Sequence, residues 1–163
     1  MRWVLFFVTA LAFFNFAACA SKKTIVTTQG TTTVETNRLR NTVKVSNKQG
    51  TAIIGRGAVD PKGLGLPLYP GAIQAQTGAL VTHTKEGTNH VVSLTTKDAF
   101  DKVYQWYKRQ LPNGSEQTHM EAAGGSVASF VLGRLNDPDQ KSVVITQSAE
   151  TTTILLTHIK KST

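Results

Sequence analysis

The chain has 163 residues, 40% hydrophobic and 17% charged, with 18 Lys and Arg against 10 Asp and Glu and a formal net charge of +8. A single cysteine, Cys19, excludes an internal disulfide framework and a thiolate metal site, so stability has to come from an apolar core. The charge is uneven: Lys22 to Leu66 holds eight cations against Glu35 and Asp60, whereas Pro67 to Thr163 holds nine cations against eight acids. A nucleic-acid interface would interleave its basic patch with aromatics on the folded domain, and this distribution argues against nucleic acid as a partner.

After Met1 and Arg2, an apolar run from Trp3 to Phe16 is broken only by Thr9 and Asn15, and small residues lead into Cys19. A positive start, a short apolar stretch and small residues before a cut predict an export signal over 1–18 rather than a piece of the fold. The run is shorter than the roughly 20 residues that span a bilayer. Phe16-Ala17-Ala18-Cys19 resembles the bacterial lipobox, departing from it at Phe16, where that family prefers Leu or a similar aliphatic. The resemblance implies that Cys19 becomes an acylated N-terminus anchored in the lipid bilayer of the cell envelope, with several chains needed for stable attachment. Ala20 in place of Asp after the cysteine implies delivery to the outer membrane, facing the periplasm. A rival cut after Ala18-Cys19-Ala20 fits the A-x-A rule and would release a secreted module without the cysteine.

Residues 19–41 are expected to form a basic tether, because Thr24 to Thr36 has seven threonines and almost no apolar content, with at most slight strand character. Over 42–66, Val43 and Val45 alternate with polar residues, Asn47-Lys48-Gln49-Gly50 signals a turn, and Thr51 to Ile54 completes a hairpin before a Gly/Pro-rich loop. The folded domain is expected over 67–163. It opens on Pro67-Leu68-Tyr69-Pro70-Gly71-Ala72, where Pro70-Gly71 favours a tight turn that folds Leu66, Leu68 and Tyr69 against the sheet to come. Ala79–Thr84 and His90–Thr95 read as a hairpin around 85–88. A helix follows, with Asp98 as cap, Phe100, Val103, Tyr104, Tyr107 and Leu111 as its apolar stripe, and Pro112-Asn113-Gly114 as its stop. Runs at 116–122, 127–132, 142–147 and 152–159 read as strands with links short enough for antiparallel pairing. The fold class is therefore α+β, one helix packed on a mostly antiparallel sheet. The Tyr-Pro-Gly-Ala stretch, with Thr95-x-x-Asp98 opening a helix that carries Val103 and Tyr107, resembles a domain of uncharacterised bacterial envelope proteins and lipoproteins. That resemblance covers 64–163 and implies an α+β architecture without an assigned chemistry.

Candidate chemistry is sparse. His83 and His90 flank one turn and are the candidate metal pair. A two-residue turn at Glu86-Gly87 puts them directly opposite, whereas a bulge at Gly87 sends them to opposite faces. No acid on those strands completes a ligand set, so the expectation is a surface pair, no metal and no cofactor. His119 and Glu121 share a strand face without a neighbouring nucleophile, and no serine sits in a nucleophile elbow. Tyr69 and Trp106 are the candidate ligand-stacking rings, with Tyr69 read first as a core anchor. The expected function is a non-catalytic binding or scaffolding domain held to the bilayer through Cys19, with an envelope protein as possible partner. The alternatives are a secreted ligand-binding module and a small metal-dependent hydrolase using these histidines and Glu121.

Overall fold

The computed structural model describes residues 20–28, 30–122, 124–134 and 137–162, so the expected signal over 1–18 and Cys19 itself lie outside the described residues. The elements are β1 (Ala20–Thr27), β2 (Gly30–Asn37), β3 (Thr42–Asn47), β4 (Gly50–Ile54), β5 (Ile73–Thr84), β6 (Gly87–Thr96), α1 (Phe100–Gln110), β7 (Glu116–Ala122), β8 (Gly125–Leu132), β9 (Asp139–Ser148) and β10 (Thr151–Lys161). They build one ten-stranded sheet in the order β1-β2-β3-β4-β5-β6-β10-β9-β8-β7, with every neighbouring pair antiparallel. The α+β expectation holds in this form. Only the helix breaks the run of hairpins: it carries the chain from β6 to the far edge, and β8, β9 and β10 fill the sheet back toward β6. Among the described residues, no helix is long and apolar enough to cross a membrane.

Period-two alternation sorts the strands into two faces. On the helix side, Ala79 and Val81 of β5, Val92 and Leu94 of β6, Ile154 and Leu156 of β10, Val143 and Ile145 of β9, and Ala128 and Phe130 of β8 are buried. The helix lays its stripe of Phe100, Val103, Tyr104, Tyr107 and Leu111 onto them, and all five are buried as the 3.6-residue spacing predicts. Fully burying each such side chain stabilises the fold by about 1.5–3 kcal/mol before conformational entropy is counted.

The loop after β4 completes the core. A short 3-10 helix at Pro61–Leu64, capped by the Asp60 side chain, buries Leu64 completely, and Val59, Leu66 and Tyr69 follow it inward. The expected boundary at 66/67 therefore runs through a single core. Tyr69-Pro70-Gly71-Ala72 is the expected tight turn, closed by Ala72 N–H to Tyr69 C=O at 3.2 Å, with Gly71 at φ 77 in the left-handed region.

Two expectations need correction. Residues assigned to a tether over 19–41 are strands β1 and β2 from Ala20 to Asn37, in register through pairs such as Lys22 with Glu35 and Thr24 with Thr33. Thr is β-branched, so a Thr-rich run with a partner strand satisfies its backbone in a ladder even where it buries no core. The helix cap also differs. Ala99 occupies the cap position without a side-chain bond, and the Phe100 N–H is met at 3.3 Å by Gln147 Oε1 on β9. Asp98 instead accepts from Tyr69 OH at 2.7 Å and from Lys102 Nζ at 2.9 Å.

Leu156 has no exposed surface and sits mid-sheet under the helix, whereas Met120 on edge strand β7 is 60% exposed. Leu156→Ala is expected to destabilise the protein by about 2–5 kcal/mol, and Met120→Ala by less than about 0.5 kcal/mol. Denaturant unfolding of the two variants checks this, and equal losses would contradict the packing described.

Candidate functional site

The register determines what happens to the histidines. The β5–β6 hairpin pairs Thr84 with Gly87, so the turn is the two residues Lys85-Glu86, one position earlier than Glu86-Gly87 and without the bulge at Gly87. His83 then faces Thr88 and His90 faces Val81, which places the two histidines on the same face as diagonal neighbours, ring centroids 6.3 Å apart. The β6–β10 register sets His158 directly opposite His90, at 6.2 Å between centroids. Sequence reasoning missed this third member, because the β6–β10 pairing joins residues as distant in the chain as His90 and His158. The outer nitrogens are taken: His83 Nδ1 lies 3.1 Å from Thr88 Oγ1, and His158 Nε2 lies 2.8 Å from Asp139 Oδ1. No group of three or more His, Cys, Asp or Glu side chains among the described residues is placed to hold a metal ion. The row is thus a histidine ladder at the margin of the core, next to Val81, with His90 and His158 half-buried and His83 exposed.

A second cluster straddles the helix and edge strand β7. Tyr104 stacks on His119 at 4.0 Å between centroids and 14° between planes. Its hydroxyl donates to Glu116 Oε1 at 3.0 Å and accepts from Lys108 Nζ at 2.9 Å, and Lys108 also reaches Glu116 Oε2 at 3.3 Å. The Tyr104 hydrogen bond, more than any other contact, holds the Glu116 carboxyl below its usual range and the Lys108 ammonium above its own. His119 and Glu121 share a face as expected, 3.1 Å apart. With its ring face covered by Tyr104 and Nε2 engaged by Glu121, His119 is set up to brace the edge strand.

Tyr69 is buried, and desolvation followed by its bond to Asp98 pushes its hydroxyl up to about 12. Trp106 sets its ring edge-to-face against Tyr69 at 5.3 Å and Tyr107 at 4.8 Å, so both candidate stacking rings stack on the protein itself. Tyr107 OH donates to Pro67 C=O at 3.2 Å, which ties the helix to the loop that carries Tyr69.

A further feature is a cleft of about 420 Å³ between the β1–β3 ribbon and the loop after β4. Lys22, Glu35, Arg40 and Lys44 line it around Ile53 and Ala58. Its wall depends on Gly57, where a Cβ would come within 2.5 Å of the Arg40 carbonyl oxygen, so only glycine lets the loop approach this closely. The sequence showed the basicity of this region but not the convergence of cations from β1, the β2–β3 turn and β3.

Compared with known proteins, the chain matches no family profile, no curated protein and no solved structure.

Burial, then the neighbouring His158 and His83, holds His90 below the usual imidazole range. The unfolded chain therefore binds a proton at His90 more readily than the native fold does. This contribution to stability is complete above the unfolded value near 6.5 and is lost as pH falls below it toward the lowered native value. His90→Gln is expected to flatten the pH dependence of Tm between about pH 7 and 5 relative to the parent chain. Parallel melting curves across that window would show the histidine ladder to be irrelevant.

Proposed function

We propose that this protein is an envelope lipoprotein, a non-catalytic binding or scaffolding domain held at a bilayer surface by acyl chains on Cys19. The observation that carries this reading is the placement of Cys19 between an apolar run with small residues and Ala20, the first residue of the sheet. The small residues before the sulfur suit processing, and Lys22 and Lys23 just after it suit an anionic membrane surface, where each cation contributes about 1 kcal/mol within a Debye length. A strand beginning at Ala20 leaves no slack between anchor and fold, so the sheet would stand against the membrane rather than range far from it.

The chemistry of the folded part favours binding over turnover. Its two histidine clusters are engaged with neighbouring hydroxyls, carboxylates and rings; among the described residues the one hydroxyl within hydrogen-bond reach of an imidazole, Thr88 Oγ1 beside His83 Nδ1, lies on an exposed hairpin where no carboxylate orients His83. The opposite, helix-free face offers a broad surface instead. From β3 to β7 its outward positions, including Val43, Ile54, Val91, Leu155 and Val144, are aliphatic, hydroxyl or amide residues, and the one formal charge is Lys161 at the end of β10.

Cys19→Ser is the direct test. The parent chain is expected in the membrane fraction with a mature mass that includes acyl chains on Cys19. The variant is expected to lose that added mass and to leave the membrane fraction or accumulate unprocessed. A variant with the same distribution and mobility as the parent would overturn the proposal.

A further inference from the structure

We propose that the cleft between the β1–β3 ribbon and residues 56–58 binds the phosphate of an anionic lipid headgroup at the bilayer surface, an inference that rests on the lipid-anchor reading. Three cations line it: Lys22 from β1, Arg40 from the β2–β3 turn and Lys44 from β3. One acid, Glu35, stands among them, and Lys22 Nζ neutralises it at 3.2 Å. Arg40 and Lys44 have no carboxylate partner within ion-pair distance among the described residues, so two cationic heads remain for an incoming anion. Asn37 and Thr42, paired on the same face as Glu35 and Lys44, add an amide and a hydroxyl at the rim. A guanidinium fork beside an ammonium is the donor set that suits a phosphate diester.

The floor of the cleft decides between a lipid and a soluble anion. Ile53 and Ala58, both packed against the core, form an apolar base that a free phosphate would leave uncovered and that the glycerol and first methylenes of a lipid would cover. Location points the same way. Ser21 and Lys22 follow Cys19 by two and three residues, at most about 7–11 Å of extended chain. That reach is comparable to the Debye length of about 8 Å at physiological salt, so a sulfur anchored in one leaflet presents this cleft to the headgroups of that leaflet. Lipid already crowded beside the anchor is at high effective concentration, so a cleft of modest intrinsic affinity would be filled.

The test uses the full-length protein extracted from membranes in neutral detergent, with bound lipid read by native mass spectrometry. The probes are dihexanoyl phosphatidylglycerol, dihexanoyl phosphatidylcholine and inorganic phosphate. Phosphatidylglycerol is expected to give at least tenfold more one-to-one adduct than phosphatidylcholine, and Arg40→Gln combined with Lys44→Gln is expected to reduce it to the phosphatidylcholine level. Melting temperature monitors the fold of the double variant, and Lys44→Gln alone is read in the same way should the pair lose stability. Equal adducts from the two lipids, or full retention by the variants, would overturn the assignment. Displacement of phosphatidylglycerol by an equal concentration of inorganic phosphate would also overturn it, showing a site for soluble anions. The same spectra weigh the acyl chains on Cys19, so a missing anchor with intact headgroup selectivity would be told apart from an intact anchor with no selectivity.

Discussion

One helix has to cover a ten-stranded sheet, and it cannot. The eleven residues of α1 span about 16 Å, whereas ten strands side by side extend for about 43 Å. Apart from Val103 and Tyr107 on the helix itself, the described apolar residues with no exposed surface therefore fall beneath that footprint and under the loop that extends it, on β6, β8, β9 and β10 and at Leu64. The tyrosines hold this arrangement in place from two sides. Tyr69 clasps Asp98 just ahead of the helix, and Tyr107 reaches back from the helix to the backbone of Pro67. Thr152, fully buried, donates to the Asp98 carbonyl at 2.7 Å, and Gln147 meets the first helical N–H. The sheet itself supplies the helix terminus with partners that a capping side chain would otherwise provide.

Everything outside the footprint follows a different rule. Where the helix ends, the helix-facing row that passes through Val81 turns polar, running from Glu35 and Lys44 through Ile53 and Val81 to His90, His158 and Lys141. Imidazoles suit this margin because one edge can pack while a nitrogen reaches solvent or a partner. One row further out, Ser46 and Thr51 share a hydroxyl–hydroxyl contact at 3.1 Å across β3 and β4. Asn89 Oδ1, on the opposite face, is a buried acceptor without a hydrogen-bond partner among the described residues.

What the sequence made legible was the local pattern. The stripe from Phe100 to Leu111, the turn at Pro70-Gly71 and the alternation of Val43 and Val45 each act over a few residues, and each appeared where it was expected. What stayed hidden depends on register between distant strands. A slip of one residue in the 85–88 turn changes which histidines meet, and the glycine preference of two-residue hairpin turns points to Glu86-Gly87 rather than to the Lys85-Glu86 pair that forms. Asp98 was misread for a related reason. Before a helix, an aspartate looks like a cap, but a phenol 29 residues earlier competes for the same oxygens. The cationic cleft likewise needs the contact between Gly57 and the Arg40 backbone, which composition alone does not reveal.

The Thr-rich stretch shows how the two kinds of information combine. By composition, Thr24 to Thr36 cannot bury a core, and β1 to β3 indeed contribute no residue to it. Low hydrophobicity argues against a compact domain but not against a strand, because a ladder needs paired backbones and β-branched side chains more than it needs grease. Once β3 and β4 pair with β5, the edge of β3 becomes a template, and each added strand satisfies one row of amides while exposing the next. The addition stops at β1, whose outward residues include Lys22 and Lys23, charges of the type that discourage further edge pairing. The same lysines that close the sheet are the first charged residues of β1, so sheet termination and the proposed attraction to an anionic surface place the same demand on the sequence.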